Sequence, residues 1–453
     1  MFKKVILSEY LYIPKSEINV ADYKQRYTIT GKYKNSPTIS YYKENSEYLG
    51  IPRHAIRLSK EMAETIIDKR IIGNKVDFRF KGNLWDYQIK AIDEFTSLLD
   101  KGATGFFLEA APGSGKTVMG LKMLSLLHTT ALIVVPKSDL VKQWKDRILQ
   151  FTDLTEDDIG LVEGGKAEYK NKKVVIGLIH SIVIPRIATT SFKNNFGVVF
   201  FDECDSSLPP KTFSSASGMF PAKWRIGVTA SATRMDGLHV IFEESLAQFR
   251  IKCKNTKTMT PTVVLHRFYG SSGLIPSYLK DIQRRGVLIS NLSKNTVRND
   301  LIASYASKSF NSGRVTLIIS DRKEQLQNLK ELLVKVYNIS PKRIGYFVRS
   351  LNGKILKQEE KDKSAEESSI ILGSYGMMSR GTDIPRMDTL ILATIRTDMR
   401  QTLGRIERFL VGKKTPVLID IIDMQYKETK NSAQSRIKYY QERGLQIKEV
   451  RNR

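Results

Sequence analysis

The stretch from Ala110 to Thr117 reads Ala-Ala-Pro-Gly-Ser-Gly-Lys-Thr and constrains the fold more than any other part of the chain. A short apolar run precedes it at 104–108, and an amphipathic run follows at 118–127. The pattern predicts a strand, a tight loop and a helix. Such a loop directs backbone N–H groups and a helix N-terminus at one point, which suits a chain of phosphates. The sequence therefore predicts a phosphate-binding loop.

The residue types inside this loop fit that chemistry. Gly113 and Gly115 let the backbone pass close to anionic oxygens without a Cβ clash. Lys116 can reach the β- and γ-phosphates, and the hydroxyl of Thr117 can bind Mg²⁺. Position 110 is alanine where the general pattern has glycine. The alternative, a glycine turn before an ordinary helix, is disfavoured by Gly-Ser-Gly-Lys-Thr standing between a strand and a helix.

The charge of the chain predicts a polyanionic partner. Its 453 residues carry 73 Lys and Arg against 47 Asp and Glu, a formal charge of +26. A strongly basic chain most often meets nucleic acid and, second, an anionic membrane surface. The bland alternative is a solvated basic surface that only maintains solubility.

Cysteine and histidine usage excludes two classes of small scaffold. Two cysteines, Cys204 and Cys253, and five scattered histidines make neither a disulfide framework nor a zinc set, so a reducing compartment is expected. No run is long enough to span a membrane, and the N-terminus carries no secretory signal pattern. We therefore expect a cytoplasmic protein, in the host cytoplasm if a phage encodes it, with no membrane partner.

From about residue 84 onward, apolar runs of four to six residues alternate with helical stretches. Continuous apolar strands between helices predict a parallel sheet that is covered on both faces. The fold class expected is α/β, with two similar parallel-sheet units in tandem and the phosphate loop only in the first. The predicted strands are 105–108, 131–135, 174–178, 198–201 and 224–228, followed by 262–265, 315–320, 344–348, 369–372, 389–393 and 416–422.

We expect five segments along the chain. The first, 1–80, is a small basic α+β accessory module with short strands and a helix at 59–68; residues 1–83 carry a net charge of +7. The tyrosines interleaved with basic residues at 23–27 and 32–34 could stack on bases or be half-buried strand residues. The remaining segments are a first lobe at 81–250, a basic linker with the start of the second lobe at 251–300, the second lobe at 301–424, and a basic C-terminal helix and tail at 425–453. The tail is predicted either to cap the second lobe with a frayed basic end or to contact nucleic acid.

Acidic residues stand where a phosphate loop needs a carboxylate partner. Asp202-Glu203-Cys204-Asp205 follows the apolar run 198–201 directly. A carboxylate at the C-terminal end of a parallel strand faces the ligand crevice of an open α/β sheet. We therefore expect Asp202 to hold Mg²⁺ and Glu203 to accept a proton from the attacking water.

Positive charge for the transition state is predicted in the second unit. The segment 401–408 reads Gln-Thr-Leu-Gly-Arg-Ile-Glu-Arg, with Arg405 and Arg408 three positions apart. On a helix these two arginines share one face. Arginines supplied by a second lobe act as arginine fingers, which accelerate phosphoryl transfer. Alone, such a segment is as well explained by surface salt bridges, and its weight comes from the other motifs.

The order of these motifs resembles superfamily 2 helicases, motors built from two RecA-like lobes. The resemblance runs from 84 to 408, about three quarters of the chain. It implies ATP and Mg²⁺ as cofactors, with ATP bound between the lobes. The matching stretches are 84–88, the phosphate loop 110–117, 135–144, the acidic box 202–205, Thr-Ala-Ser-Ala-Thr at 229–233, 379–385 and 401–408. The acidic box has cysteine where many members have alanine or histidine.

The resemblance also assigns roles residue by residue. It implies that Gln88 recognises adenine. The residues that it places in the nucleotide site are Gly113, Ser114, Gly115, Lys116, Thr117, Asp383 and Gln401. Those that it places on nucleic acid are Pro136, Lys137, Ser374 and Arg380. Those that it expects to couple the nucleotide site to strand movement are Ser231, Ala232 and Thr233.

Within the superfamily, the chain resembles the phage recombination and repair type, UvsW-like, with the XPB-like and RecG-like types related. The run 229–237, Gln401 in place of histidine, and the segment 435–440 with its arginine and tyrosines carry this likeness. It implies a monomeric DNA helicase that unwinds or branch-migrates forks and Holliday junctions, contacting single strand and duplex, with replication or recombination proteins as further partners. The alternatives are a duplex translocase or remodeller that separates no strands, an RNA helicase, and a nucleic-acid scaffold with an inactive nucleotide site.

Overall fold

The structure is a computed structural model, and it forms two compact units, Met1–Thr256 and Lys257–Arg453. We describe each unit by itself. The described residues are 2–32, 36–56, 58, 62–111, 113–204, 210–230, 236–253, 258–270, 273–276, 278, 280–351, 353–378, 384–396 and 399–451. The side chains of 281, 282, 358, 400, 401 and 451 are likewise outside the description. No helix in the described ranges is long and apolar enough to cross a membrane.

The first unit begins with a small mixed sheet of order β5-β6-β2-β1-β7, beside a two-stranded ribbon of β3 and β4. In β2 the buried residues Leu11 and Ile13 alternate with half-buried tyrosines, so one face of the strand enters the core. The elements are β1 (Phe2–Leu7), β2 (Tyr10–Pro14), α1 (Val20–Arg26), β3 (Thr28–Thr30), β4 (Thr38–Ser40), β5 (Lys43–Glu44), β6 (Tyr48–Pro52) and β7 (Ala63–Asp68).

The helix predicted at 59–68 is wrong over its described part. Residues 59–61 lie outside the described residues, and Ala63–Asp68 form strand β7. This strand pairs in parallel with β1, with Val5 opposite Ile66. The β-branched run Thr65, Ile66 and Ile67 favours a strand, and tertiary pairing with β1 decides between the two periodicities.

The N-terminal sheet shares a hydrophobic core with the larger sheet that follows it in the same unit. Two buried arginines add polar links between them. Arg53, 3% exposed, donates to the carbonyl of Ala222 at 2.6 Å. Arg225, 1% exposed, donates to the carbonyl of Glu9 at 2.7 Å. Because a buried guanidinium needs its hydrogen bonds, these contacts fix the N-terminal sheet to the rest of the unit.

The larger sheet of the first unit has eight strands in the order β11-β10-β12-β9-β13-β14-β8-β15. All its pairings are parallel except that of β10 with β11. Its strands are β8 (Gly105–Ala110), β9 (Ala131–Val135), β10 (Ile159–Glu163), β11 (Lys166–Ala167), β12 (Val174–Leu178), β13 (Val198–Phe201), β14 (Trp224–Thr229) and β15 (Phe249–Cys253). The helices around it are α2 (Asp86–Asp100), α3 (Lys116–Leu127), α4 (Ser138–Phe151), α5 (Ile179–Ile182), α6 (Thr190–Lys193), α7 (Pro210–Ser217) and α8 (His239–Leu246).

Burial on both faces explains the continuous apolar runs. In β9, Leu132 and Val134 face one hydrophobic core, while Ile133 and Val135 face the other. All four are fully buried. The five strands predicted between 105 and 228 are confirmed, as is their parallel arrangement.

The second unit has a seven-stranded sheet of order β18-β21-β17-β22-β23-β16-β24, parallel throughout. Its strands, with the two of a separate ribbon (β19 and β20), are β16 (Thr262–Phe268), β17 (Thr316–Ser320), β18 (Ile344–Phe347), β19 (Ser350–Leu351), β20 (Lys354–Ile355), β21 (Ile370–Ser374), β22 (Thr389–Leu392), β23 (Val417–Asp423) and β24 (Ile447–Arg451). Its helices are α9 (Asp281–Lys294), α10 (Thr296–Asn311), α11 (Lys323–Lys335), α12 (Gln358–Glu367), α13 (Tyr375–Met378), α14 (Arg400–Ile406) and α15 (Lys427–Glu442). The six strands predicted between 262 and 422 are confirmed. The fold is thus α/β, with two tandem parallel-sheet lobes and a small N-terminal sheet.

The C-terminal tail belongs to this second core. Arg436 and Tyr440 of α15 are buried around Asp420 of β23, whose carboxylate accepts two hydrogen bonds from Arg436 at 2.8 and 2.9 Å. Beyond α15 the chain forms β24, which pairs with β16 at the sheet edge. The prediction that the helix caps the second lobe is therefore confirmed. The frayed end predicted after it is wrong over 447–451, because this segment pairs with β16 as a further strand of the sheet.

Candidate functional site

The predicted phosphate loop connects β8 to α3. Strand β8 ends at Ala110, and α3 begins at Lys116 with Gly115 as its N-cap. Gly113 and Gly115 have φ angles of 79° and 78°, a region that favours glycine. Lys116 Nζ donates a hydrogen bond to the Ala110 carbonyl at 3.2 Å, so its ammonium group lies back along the loop. Pro112 lies outside the described residues.

Gln88, on the first turn of α2, braces this loop from behind. It is 3% exposed, and its Nε2 donates to the carbonyl of Ser114 at 2.8 Å. Its Oε1 accepts from the Trp85 backbone N–H at 2.9 Å, which caps α2. A Cβ at position 115 would lie 2.3 Å from Gln88 Nε2, so a larger residue there would displace the Gln88 amide from the loop. The structure assigns Gln88 a supporting contact, and its contact with adenine stays a prediction.

Ser114 and Thr117 are two further residues of this loop that the sequence predicts in the nucleotide site. Ser114 is fully buried, and its hydroxyl donates to the Ala111 carbonyl at 2.7 Å, which tightens the turn. Thr117 stands half-buried in the first turn of α3. Backbone N–H groups at the start of this twelve-residue helix favour an anion.

The acidic residues turn sharply away from the end of β13. Asp202 is 7% exposed, and its Oδ1 accepts from the backbone N–H of Glu203 at 2.8 Å. Glu203 has a φ of 52°, which costs energy for a residue with a side chain. The backbone N–H of Cys204 then donates to Val228 at 2.9 Å, which closes the turn on β14. The turn is thus held by the neighbouring strand. Asp205 lies outside the described residues.

Trp144 is a partner of this turn that the sequence alone did not reveal. The sequence places it in the stretch 135–144 expected near nucleic acid, but the side chain is 1% exposed beneath the sheet edge. Its indole N–H donates to Asp202 Oδ2 at 2.8 Å. The ring packs edge-on against Phe200 with centroids 5.2 Å apart. The spacing of Leu140, Trp144 and Ile148 on one helix face is a signal for burial, but it carries no information on Asp202.

Replacing Trp144 with phenylalanine is expected to weaken Mg²⁺-dependent nucleotide binding. Phenylalanine keeps a ring against Phe200 but removes the donor that orients the Asp202 carboxylate. Removing a partner of a metal ligand typically costs roughly 10–100-fold in metal affinity. The measurement is binding of a fluorescent ADP analogue over a Mg²⁺ titration. Trp224→Phe, at the start of β14, is the control, and an unchanged Mg²⁺ titration of the Trp144 variant would contradict the prediction.

Parallel pairing brings the phosphate loop and the acidic turn to the same end of the strands. Glu109 in β8 is opposite Thr229 in β14, and Phe201 in β13 is opposite both Gly227 and Val134. The phosphate loop and the acidic turn therefore follow the carboxyl-terminal ends of β8 and β13, and β14 is the strand between them. The motif of Ser231, Ala232 and Thr233, which follows β14, lies outside the described residues.

The residues predicted on nucleic acid are only partly described. Pro136 is buried directly after β9, and Lys137 is half-buried as the N-cap residue of α4. In the second unit, Ser374 ends β21 and is half-buried. Arg380 lies outside the described residues. Contact between these positions and nucleic acid stays a prediction.

The arginine segment lies at the end of α14 in the second unit. Arg405 is on the helix and 7% exposed. The prediction that both arginines share a helical face is wrong for Arg408, because α14 ends at Ile406 and Arg408 forms a β-bridge with Thr258. Pairing with a segment distant in sequence overrides the helical spacing here. The roles of both arginines stay predictions.

Two predicted nucleotide contacts in this unit fall outside the description. Asp383 is one of them. Gln401 is the other: its backbone belongs to α14, but its side chain is not among those described. Their roles also stay predictions.

Several known proteins are similar to this chain in sequence. Residues 81–234 match the family described as Type III restriction enzyme, res subunit. L396 of Acanthamoeba polyphaga mimivirus, named as an ATP-dependent RNA helicase, is 28% identical over 455 residues, covering 98% of this chain and 84% of the relative. XPB2 of Sulfurisphaera tokodaii, named as a DNA 3'-5' translocase, is 25% identical over 425 residues, covering 83% of this chain and 89% of the relative.

The fold is similar to that of the solved structure of Dbp5. Dbp5 of S. cerevisiae bound to RNA and ADP BeF3 has a TM-score of 0.55 and 14% identity, covering 82% of this chain and 94% of that one. The structure of T4 UvsW covers 100% of both chains at 17% identity, with a TM-score of 0.40. Over most of its length the chain is thus similar to proteins named as helicases or translocases, which agrees with the resemblance to superfamily 2 helicases. Its two parallel-sheet lobes are RecA-like.

Proposed function

We propose that this protein is an ATP-dependent DNA helicase or translocase that unwinds or branch-migrates forks and Holliday junctions in replication, recombination or repair. The proposed motor activity is supported by the phosphate loop and the acidic turn, which lie at the same end of the strands in one parallel sheet. Support for DNA comes from XPB2, whose printed name is that of a DNA translocase and which covers most of both chains. Branched substrates rest on the resemblance to the phage recombination type.

The residues of the first unit fit ATP and Mg²⁺. Two left-handed glycines, a lysine at the helix start and a buried carboxylate make the donor set of a nucleotide site. Mg²⁺ is usually bound by one or two protein oxygen ligands together with substrate phosphates and water. Thr117 and Asp202 would hold Mg²⁺, which neutralises charge on the phosphate oxygens when bound.

The remaining roles are proposed on the resemblance to superfamily 2 helicases. Lys116 binds the phosphates, and Glu203 orients the attacking water and takes its proton. Gln88 and Gln401 bind the nucleotide along with Asp383. Arg405 and Arg408 supply positive charge to the transition state. Ser231, Ala232 and Thr233 couple the site to strand movement.

Contacts with nucleic acid are proposed to go mainly to the backbone. Pro136 and Lys137 in the first unit, and Ser374 and Arg380 in the second, are the positions proposed to contact the strand, and the net charge of +26 would attract it. Backbone contacts carry little sequence information. Binding should therefore weaken steeply with salt because neutralised phosphates release counterions.

The proposed domain boundaries divide the chain into five segments: 1–80, 81–250, 251–300, 301–424 and 425–453. The N-terminal module would select branched structure, and because it shares a core with the first lobe, it would move with that lobe. Replication and recombination proteins are the further partners proposed, and the motor is proposed to act as a monomer.

An RNA helicase is the second candidate. The relative L396, which covers 98% of this chain, is named as an RNA helicase. A duplex translocase that separates no strands is the remaining alternative, and the name of XPB2 favours it.

ATP hydrolysis and strand release, measured together on a panel of nucleic acids, test the proposal. The panel is single-stranded DNA, linear duplex, forked duplex, a four-way junction and RNA. Stimulation by forks and junctions with strand release or branch migration is the expected result. Stimulation by linear duplex without strand release would favour the translocase, and stimulation by RNA alone would overturn the DNA assignment. A Glu203→Gln variant is the inactive control for each substrate.

A further inference from the structure

The end of helix α14 is held by residues from three other places in the second unit. Lys413 Nζ donates to the carbonyls of Ile406 and Arg408 at 2.7 and 2.8 Å. The backbone N–H of Met259 donates to the carbonyl of Glu407 at 2.9 Å. Arg443, which follows the C-terminal helix α15, donates from Nη1 to Glu407 Oε1 at 2.6 Å. The first two contacts use the backbone, whereas the third depends on the side chain at 407.

The ion pair between Glu407 and Arg443 differs from the surface pairs of this unit. The Glu407 side chain is 9% exposed and that of Arg443 is 33% exposed. Arg443 is itself positioned by Tyr439, whose hydroxyl accepts at 3.4 Å and whose ring centroid lies 5.7 Å from the guanidinium. Burial raises the pKa of Glu407, and the charge of Arg443 opposes that shift. A half-buried pair with a preoriented arginine restrains the backbone more firmly than an exposed one.

Glu407 lies within the segment that carries Arg405 and Arg408. It stands between Ile406 and Arg408, two residues after Arg405. Without Arg443 the Glu407 carboxylate would lose its hydrogen-bonded partner, and a largely buried carboxylate that loses its partner is free to turn toward another positive charge or toward solvent. Pairing with Arg443 keeps the carboxylate in one place.

We propose that Arg443, through Glu407, is a positioning residue that fixes the Arg405–Arg408 segment for ATP hydrolysis. This inference rests on the proposed function, in which these two arginines stabilise the transition state. It makes the tail after α15 part of the catalytic lobe and not only a cap on it. Arg443 acts on this segment from 36 positions along the chain, through the Glu407 carboxylate.

The test compares the variants Arg443→Ala, Glu407→Gln and the double variant with the full-length protein. Each single variant is expected to lower kcat by roughly 5–50-fold, because small displacements of transition-state groups cost up to about 100-fold. KM for ATP and the affinity for a fluorescent ADP analogue should stay unchanged. The double variant should be no slower than either single variant, since both remove one interaction. Arg443→Lys should restore part of kcat.

Lys438→Ala is the matched control, because Lys438 forms an exposed pair with Glu442 on the same helix. It should leave kcat unchanged. A merely structural ion pair would lower the melting temperature in Arg443→Ala while kcat, measured well below that temperature, stayed at the wild-type value, and this result would overturn the inference. Additive losses in the double variant would also overturn it.

Arg408→Ala separates this inference from the proposed function. If Arg408→Ala lowers kcat and Arg443→Ala does not, only the positioning role fails. If Arg408→Ala retains full kcat, the arginine assignment of the proposed function fails, and the positioning role fails with it.

Discussion

Replacing Lys116 with alanine is expected to abolish nucleic-acid-stimulated ATP hydrolysis. The lysine begins α3 directly after the left-handed Gly115, and its ammonium group lies 3.2 Å from the Ala110 carbonyl. It is therefore already folded over the loop that is proposed to bind the phosphates. Removing one preorganised group that stabilises developing charge costs at least about 10²–10³-fold in rate. We expect a loss at or beyond the upper end, because a full charge is lost.

The measurement for Lys116 is phosphate release at saturating ATP with a forked DNA present. Lys122→Ala is the control, since Lys122 is on the same helix and lies 5.9 Å above the ring of Phe80, away from the loop. Thermal unfolding of both variants should match the wild type within a few degrees. Full turnover by Lys116→Ala would refute the assignment of the phosphate loop.

Replacing Arg436 with methionine is expected to destabilise the second unit strongly. Arg436 is the bidentate partner of Asp420, which is fully buried, and Tyr440 donates to the same carboxylate at 3.0 Å. Without the arginine, Asp420 remains as a buried charge with one hydroxyl donor among the contacts described here. Breaking a buried ion pair from one side costs about 3–5 kcal/mol of unfolding free energy.

The effect of Arg436→Met is measured by urea unfolding of the full-length protein, followed by circular dichroism. Arg267→Met is the control: it breaks the exposed pair with Glu449 of β24, which is worth at most about 1 kcal/mol. Adding Asp420→Asn to Arg436→Met should recover part of the loss, because no buried charge remains unpaired. Equal stability of the Arg436 and Arg267 variants would show that the buried network contributes little.

The hydrogen-bond network around Asp420 also supports the segment that leads into α14. Arg436 also donates to the carbonyl of Arg396 at 2.8 Å, a few residues before α14 begins. Tyr375 donates to the neighbouring carbonyl of Thr394 at 2.9 Å. The C-terminal helix thus supports both ends of the segment that carries Arg405, through Arg436 before it and Arg443 after it.

The phosphate loop, the acidic turn and both parallel sheets were predictable from the sequence. Their signals are local: glycines where the backbone needs φ near +78°, carboxylates directly after a buried strand, and apolar runs that reflect burial on both faces. The predictions of local structure that failed have non-local causes. Residues 63–68 and 447–451 form strands because a partner edge was available in β1 and β16, and sequence periodicity does not report a partner.

By itself, then, the sequence determined the class of the fold, and it predicted the place of the proposed nucleotide site and the charged groups proposed to act there. The tertiary structure alone decided which residues hold those groups. Trp144 reaches Asp202 across 58 positions, and Arg443 reaches Glu407 across 36. Such contacts depend on how the chain returns to a site after distant elements have packed. No spacing rule encodes that return, because the free energy that fixes it comes from the burial of the whole core.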